Sequence, residues 1–71
     1  MKKLEFNLDG HEFIPLNALL KVMRLVNSGG EANWLIVEGK VLFNGQVELQ
    51  KRKKIRAGDK VEFDNHLIQV N

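Results

Sequence analysis

The sequence has 71 residues, enough for one domain and near the lower size limit for a fold without cross-links. It has no cysteine, which excludes disulfide frameworks and thiolate metal sites, and its apolar content of 44% argues against disorder. The net charge of +2 is small, and no apolar run approaches the roughly 18 residues of a membrane span. We therefore expect a single domain over residues 1–71, monomeric and cytoplasmic, without a membrane segment or secretory signal.

The N-terminal third of the sequence predicts a hairpin followed by a helix. Residues 3–8 alternate as a strand does, Asp9-Gly10 signals a turn, and residues 11–14 form a short second strand. Pro15 suits the first helical turn, where its missing N–H is not needed. The helix that follows has about three turns and ends near Val26, before a cluster of turn residues. Its apolar face follows the i, i+3, i+4, i+7 pattern: Leu16, Leu19, Leu20 and Met23.

A second, shorter helix is predicted at about residues 30–38. Ser28 and Glu31 have the S-x-x-E spacing of a capping box, and Gly39 is a typical C-terminal glycine. An isolated helix of this length is unstable in water, so it must pack on the first helix. Its buried face has the 3–4 spacing of Ala32, Leu35 and Ile36.

The C-terminal half predicts short strands joined by turns. Strands at 41–43 and 46–49 flank Asn44-Gly45, the strongest short-range hairpin signal. Strands at 61–63 and 67–70 flank a second turn at 64–66, and a further turn falls at 57–59.

Positive charge is concentrated between residues 40 and 56. This stretch has six basic residues and one acid, Glu48, whereas residues 1–39 have four basic residues and five acids. If the run at 51–56 is extended, Ile55 faces the core, with Lys51 and Lys53 on its side near the rim. Like charges in a row on a sheet repel each other, which favours an external anion as their partner. The row on the outer face would consist of Arg52, Lys54 and Arg56.

Several of these motifs, in this order, resemble the S4 RNA-binding domain family. The resemblance covers residues 15–63, and the combination of motifs is specific, whereas any single one is not. The first matches are Ser28-Gly29-Gly30-Glu31-Ala32 followed by Leu35-Ile36. The remaining matches are Gly39-Lys40-Val41, Asn44-Gly45, Lys54-Ile55 and Gly58-Asp59-Lys60-Val61. The length of the chain also resembles that of the small stand-alone bacterial branch. Gly29 and Trp34 match residues that are familiar in that branch.

The resemblance implies an α+β fold of the S4-like, or αL, type, with two helices packed against a small bent antiparallel sheet. It also implies a non-catalytic protein that binds structured RNA, with ribosomal RNA as one candidate. Glycines at the start of the second helix would let a phosphate approach the backbone. The candidate RNA-binding residues are Ser28, Gly29, Gly30, Asn33, Lys40, Lys51, Arg52, Lys53, Lys54 and Arg56.

Other interpretations remain open. The family commonly has basic residues where this chain has Ile14, Gly29 and Asn33, so a protein-interaction adaptor that keeps the fold is the alternative function. Residues 28–30 would then be only a tight turn between helices, and Lys40 a solvated lysine after a helix end. Trp34 either stacks on a base or packs under a strand, and packing is favoured.

No pattern in the sequence indicates catalysis or a cofactor. It contains no P-loop, no nucleophile paired with a base and no clustered carboxylates. His11 and His66 are isolated from other ligand types, so no metal site is predicted.

Overall fold

Two short helices and a five-stranded sheet form the molecule. The computed structural model describes all residues from Met1 to Asn71. The sheet has the strand order β1-β7-β6-β3-β4, and β2 pairs separately with β5. The α+β class with two helices and a small sheet is confirmed, but the sheet is mixed rather than antiparallel. The elements are β1 (Lys2–Phe6), β2 (Ile14–Pro15), α1 (Leu16–Val22), α2 (Gly29–Val37), β3 (Val41–Phe43), β4 (Gln46–Val47), β5 (Lys54–Ile55), β6 (Lys60–Phe63) and β7 (His66–Val70).

The prediction of an N-terminal hairpin is wrong. β1 pairs in parallel with β7, in a register that runs from Lys2 opposite His66 to Phe6 opposite Val70. Of the residues expected as its second strand, only Ile14 lies in a strand, which is β2, and there it is opposite Ile55. Alternating side chains define a strand but not its partner. The chain does turn at Asp9 and Gly10, but the turn does not join two paired strands.

Helix α1 is shorter than expected and ends at Val22. The chain then turns through Arg24 at φ +60°, with the amide of Arg24 bonded to the carbonyl of Lys21 and that of Leu25 to Leu20. These two bonds form a Schellman motif, which usually has glycine at the position of Arg24. Leu25 and Val26 still pack on the core, and Pro15 is the N-cap rather than a residue of the first turn.

The other predicted turns are confirmed. Gly39, at φ +77°, ends α2 in a second Schellman motif, with its amide on Ile36 and that of Lys40 on Leu35. Asn44 and Gly45 both have positive φ, as a two-residue type I′ hairpin requires. The Asn44 amide group also bonds the carboxylate of Asp59 and the backbone N–H of Lys60. It therefore joins this hairpin to the turn at 57–59.

The core lies between the helices and one face of the sheet. It contains twelve buried apolar residues and no buried polar side chain. Both helices and strands β3, β5, β6 and β7 contribute to it, so neither layer is stable without the other. The structure has no helix long and apolar enough to cross a membrane. The fully buried side chains with the largest volumes are Leu16, Leu19, Leu20, Ile36, Ile55, Ile68, Val41, Val61 and Val70.

Candidate nucleic-acid interface

Residues Lys51–Arg56, here called the basic segment, are anchored at the start of α1. The amide of Leu16 donates to the carbonyl of Lys53 at 2.9 Å, and that of Asn17 donates to Lys51 at 3.0 Å. β5 lies within the segment and pairs with β2, and its Ile55 is fully buried. The backbone of the segment is thus fixed at several points, and the extended conformation considered from the sequence applies only to part of it. Lys51 and Arg52 form a turn, and only Lys54 and Ile55 are strand.

Two aromatic rings hold three of the segment's cations. The Nζ of Lys53 lies 5.1 Å from the centre of the Phe43 ring, and that of Lys54 lies 5.1 Å from the centre of Phe13. The guanidinium of Arg56 lies over the same Phe13 ring at 5.8 Å. Such contacts attract the cation to the face of the ring, so they restrict where these charges can lie.

Sequence reasoning missed the role of Phe13, but the strand register explains it. Ile14 pairs with Ile55 in an antiparallel ladder, so Phe13 falls opposite Arg56 and diagonal to Lys54. Ile14 and Ile55 take the inward face, which leaves Phe13 on the outer face with the two cations. The sequence carried no signal for this role, because it depends on the pairing of β2 with β5.

The positive charges of the segment lack acidic hydrogen-bond partners within the protein. Among the side-chain hydrogen bonds of the protein, none has a lysine or arginine side chain as its donor. Lys51, Arg52, Lys54 and Arg56 are exposed, and Lys53 is half-buried. Five positive charges within six residues are therefore available to an external anion.

The start of α2 is capped but open. The Oγ of Ser28 accepts from the amide of Glu31 at 3.1 Å, which confirms half of the predicted capping box. The carboxylate of Glu31 accepts from the amide of Asn27 at 2.6 Å, one residue before the expected position. A Cβ on Gly29 would meet nothing within 4 Å, and one on Gly30 would meet only the Ser28 hydroxyl at 3.9 Å. Packing therefore requires neither glycine, and no side chain stands over the backbone at these two positions.

Asn17 joins these two regions. Its side-chain Nδ2 donates to Oδ1 of Asn33 on α2 at 3.0 Å, while its backbone amide donates to Lys51. Asn33 lies three residues after Gly30 and four after Gly29, on the same side of the helix. A short path of contacts thus connects the start of α2 to the basic segment through the start of α1. Of the predicted residues, these contacts link Asn33 to Lys51; a common interface of residues 28–30 with the basic segment stays a prediction.

Lys40 lies apart from this group. It is exposed and follows the Schellman motif of α2, and it immediately precedes β3. Lys53 lies over Phe43 at the opposite end of that strand, about 10 Å along the chain at strand rise. The participation of Lys40 in a common interface stays a prediction.

No group of three or more metal-ligating side chains is present.

Trp34 differs from its prediction. The side chain was expected to pack beneath a strand, but it is 60% exposed on the outer face of α2. The residues of α2 that reach the core are Ala32 and Ile36, on the opposite side of the helix. The sequence already showed this spacing, which leaves Trp34 off the buried face.

Known proteins resemble the chain over nearly its whole length. A family model described as "S4 domain" matches residues 6–71. YbcJ of Escherichia coli (strain K12) is 43% identical over 65 residues, which span 92% of this chain and 93% of YbcJ. A solution structure of E. coli YbcJ, described as an αL motif involved in RNA binding, has a TM-score of 0.71 and covers 93% of this chain and 84% of that one. The Bacillus subtilis (strain 168) "Probable ribosome maturation protein RlbA" is 36% identical over 53 residues, 75% of each chain.

Proposed function

Because the chain belongs to the S4 domain family, we propose that it is a non-catalytic RNA-binding protein that recognises structured RNA. The observation that carries this proposal is the basic segment itself, whose five cations have no acidic hydrogen-bond partner and whose backbone is anchored at α1. The described RNA binding of the similar YbcJ structure supports it.

Each part of the interface suits a different feature of RNA. Lysine and arginine side chains neutralise phosphates and release counterions, and Arg52 can grip one phosphate with two parallel hydrogen bonds. The amides at the start of α2, where Gly29 and Gly30 carry no side chain, would add donors and the positive end of a helix dipole. Folded RNA presents phosphates on neighbouring strands at once, so a surface that joins the two regions through Asn17 favours it over an extended strand.

The name of the B. subtilis relative supports ribosomal RNA as the target class. We propose that residues 1–71 act as one domain and as a monomer in the cytoplasm, without a cofactor. The same ten residues named from the sequence are the proposed contacts, with Lys40 at the margin.

Charge reversal in the basic segment tests the proposal. Arg52→Glu combined with Lys54→Glu should lower the affinity for a ribosomal stem-loop RNA roughly 100-fold at low salt, since several phosphate contacts become repulsive. Fluorescence anisotropy across a salt series measures both affinity and the number of neutralised phosphates. For the unchanged protein, log Kd should vary with log salt by about 0.7–0.9 per phosphate contacted.

The matched control is Lys2→Glu combined with Lys3→Glu. This pair makes the same change in net charge on β1, an edge strand of the five-stranded sheet to which the basic segment does not belong, and should retain most of the affinity. Equal losses from both pairs would mean that only net charge matters, and absence of binding by the unchanged protein would refute the proposal. If the unchanged protein does not bind RNA and the variant Arg52→Glu, Lys54→Glu still captures a protein partner, the adaptor would be supported instead.

A further inference from the structure

The outer face of α2 exposes apolar side chains that the fold does not use. Trp34 is 60% exposed and Val37, one turn further along, is 51% exposed. Gly30, Trp34 and Val37 are separated by four and three residues, so they form one strip along the helix. Because Gly30 has no side chain, the strip is open toward the start of the helix.

This strip separates two surfaces of opposite character. On one side lies Asn33, which contacts Asn17 and through it the basic segment. On the other side lie the exposed carboxylates of Glu31 and Glu38, seven residues apart and hence on one edge of the helix. A phosphate is attracted to the first side and repelled from the second, whereas an uncharged aromatic group is accepted between them.

We propose that Trp34 stacks on an unpaired nucleobase of the bound RNA. This inference rests on the proposed function and adds to it a preference for RNA in which a single-stranded loop or bulge adjoins a helix. The nucleotide's phosphate lies toward the basic segment and its base on Trp34, with Val37 beside it. Every base has a π-face, so the contact selects unpaired nucleotides rather than a particular sequence.

Continuity with the cations favours a nucleotide over a protein as the occupant of this strip. A protein partner would bury an apolar surface that ends at carboxylates on one edge and at five uncompensated positive charges beyond the other. A nucleotide has an apolar face and an anionic group on the same residue, which matches that gradient from Trp34 to the basic segment.

Trp34 also provides the measurement, because the chain has one tryptophan and no tyrosine. The full-length protein is titrated with three probes: oligouridylate, a stem-loop RNA with an unpaired loop, and a blunt RNA duplex with the same number of phosphates as the stem-loop. Stacking should quench Trp34 fluorescence with the first two probes and leave it nearly unchanged with the duplex.

Affinity measurements on variants complete the test. Trp34→Ala should weaken binding of the stem-loop by about 5- to 150-fold and leave binding of the duplex unchanged. Trp34→Phe, which keeps an aromatic face, should recover part of the loss. Val22→Ala is the matched control, since Val22 is an apolar side chain exposed to 55% on the other helix.

The outcomes separate the two proposals. Equal losses of stem-loop and duplex affinity, or normal stem-loop binding by Trp34→Ala, would overturn the stacking role while the proposed function stands. A concentration-dependent change in fluorescence without RNA would assign the strip to a second protein copy and also overturn it. Failure of the unchanged protein to bind any probe would remove the proposed function, and the stacking role with it.

Discussion

The basic segment and the start of α2 are proposed to meet the same ligand, yet they are built in contrasting ways. The segment is held by backbone hydrogen bonds to α1, by strand pairing with β2, by buried Ile55 and by two aromatic rings. The start of α2 has two glycines with open space where side chains would be. The contrast indicates that flexible cationic side chains need a scaffold to present them, whereas rigid backbone amides need only room.

The largest effect is expected at the residue that joins the two regions. Asn17→Ala removes the hydrogen bonds from Asn17 Nδ2 to Asn33 and from the amide of Ala18 to Asn17 Oδ1. At about 1 kcal/mol for each bond, the free energy of unfolding should fall by about 2 kcal/mol, as measured by urea denaturation.

Asn33→Ala is the comparison variant, because it removes only the shared bond and should lower stability by about half as much. The double variant should lose about as much stability as Asn17→Ala alone, because the bond that the two residues share is lost only once. Strictly additive losses would show that the Asn17–Asn33 bond does not couple the regions.

A smaller effect is expected from loosening the scaffold without changing its charge. Phe13→Leu keeps an apolar residue but removes the ring that holds Lys54 and Arg56. RNA affinity should fall roughly fivefold, since each cation–π contact at an exposed site is worth about 0.5–1 kcal/mol. The salt dependence of binding should stay the same, because the phosphate contacts are equal in number.

Phe63→Leu is the control for this change. Phe63 is a half-buried residue of β6 that packs against the core, and no cation–π contact involves it. Its replacement should affect stability more than RNA affinity. If both variants bind RNA alike, the aromatic ring of Phe13 does not position the cations.

The smallest effects are expected at Gly30, where one substitution should raise stability and lower RNA affinity. Gly30→Ala should stabilise the protein by about 0.5–1 kcal/mol, because alanine favours the helix and its Cβ meets no obstacle. The same methyl group would stand where a phosphate approaches, so RNA affinity should fall severalfold. Thermal unfolding and anisotropy on one preparation measure both; increased stability with unchanged affinity would show that the amides of α2 do not contact RNA.

The sequence predicted local features well where a residue type matches a backbone requirement. Gly39 and Asn44-Gly45 adopt the positive φ angles that their residue types favour, so the turns there are as expected. Arg24 also adopts a positive φ, at +60°, but arginine carries no signal for that conformation. The end of α1 was therefore placed four residues too late.

Features that depend on distant partners could not be predicted in the same way. β1 pairs with β7 across most of the chain, and the alternating pattern of either strand contains no information about this choice. Of the candidate site, charge alone identified the basic segment. The roles of Phe13 and Asn17 depend on which strand and helix end lie beside that segment, and only the three-dimensional arrangement supplies this.

The Asn44 side chain has a consequence for the chemical ageing of the protein. Asparagine followed by glycine is the pair most prone to lose its amide nitrogen, and Asn44 is exposed at such a pair. Its Nδ2 now donates to Oδ1 of Asp59 at 3.2 Å. Deamidation would replace that donor with a carboxylate oxygen facing a second carboxylate, so attraction would become repulsion. A single spontaneous reaction would thus weaken the side-chain link between the hairpin and the turn that follows the basic segment, while the backbone pairing of β3 with β6 remains.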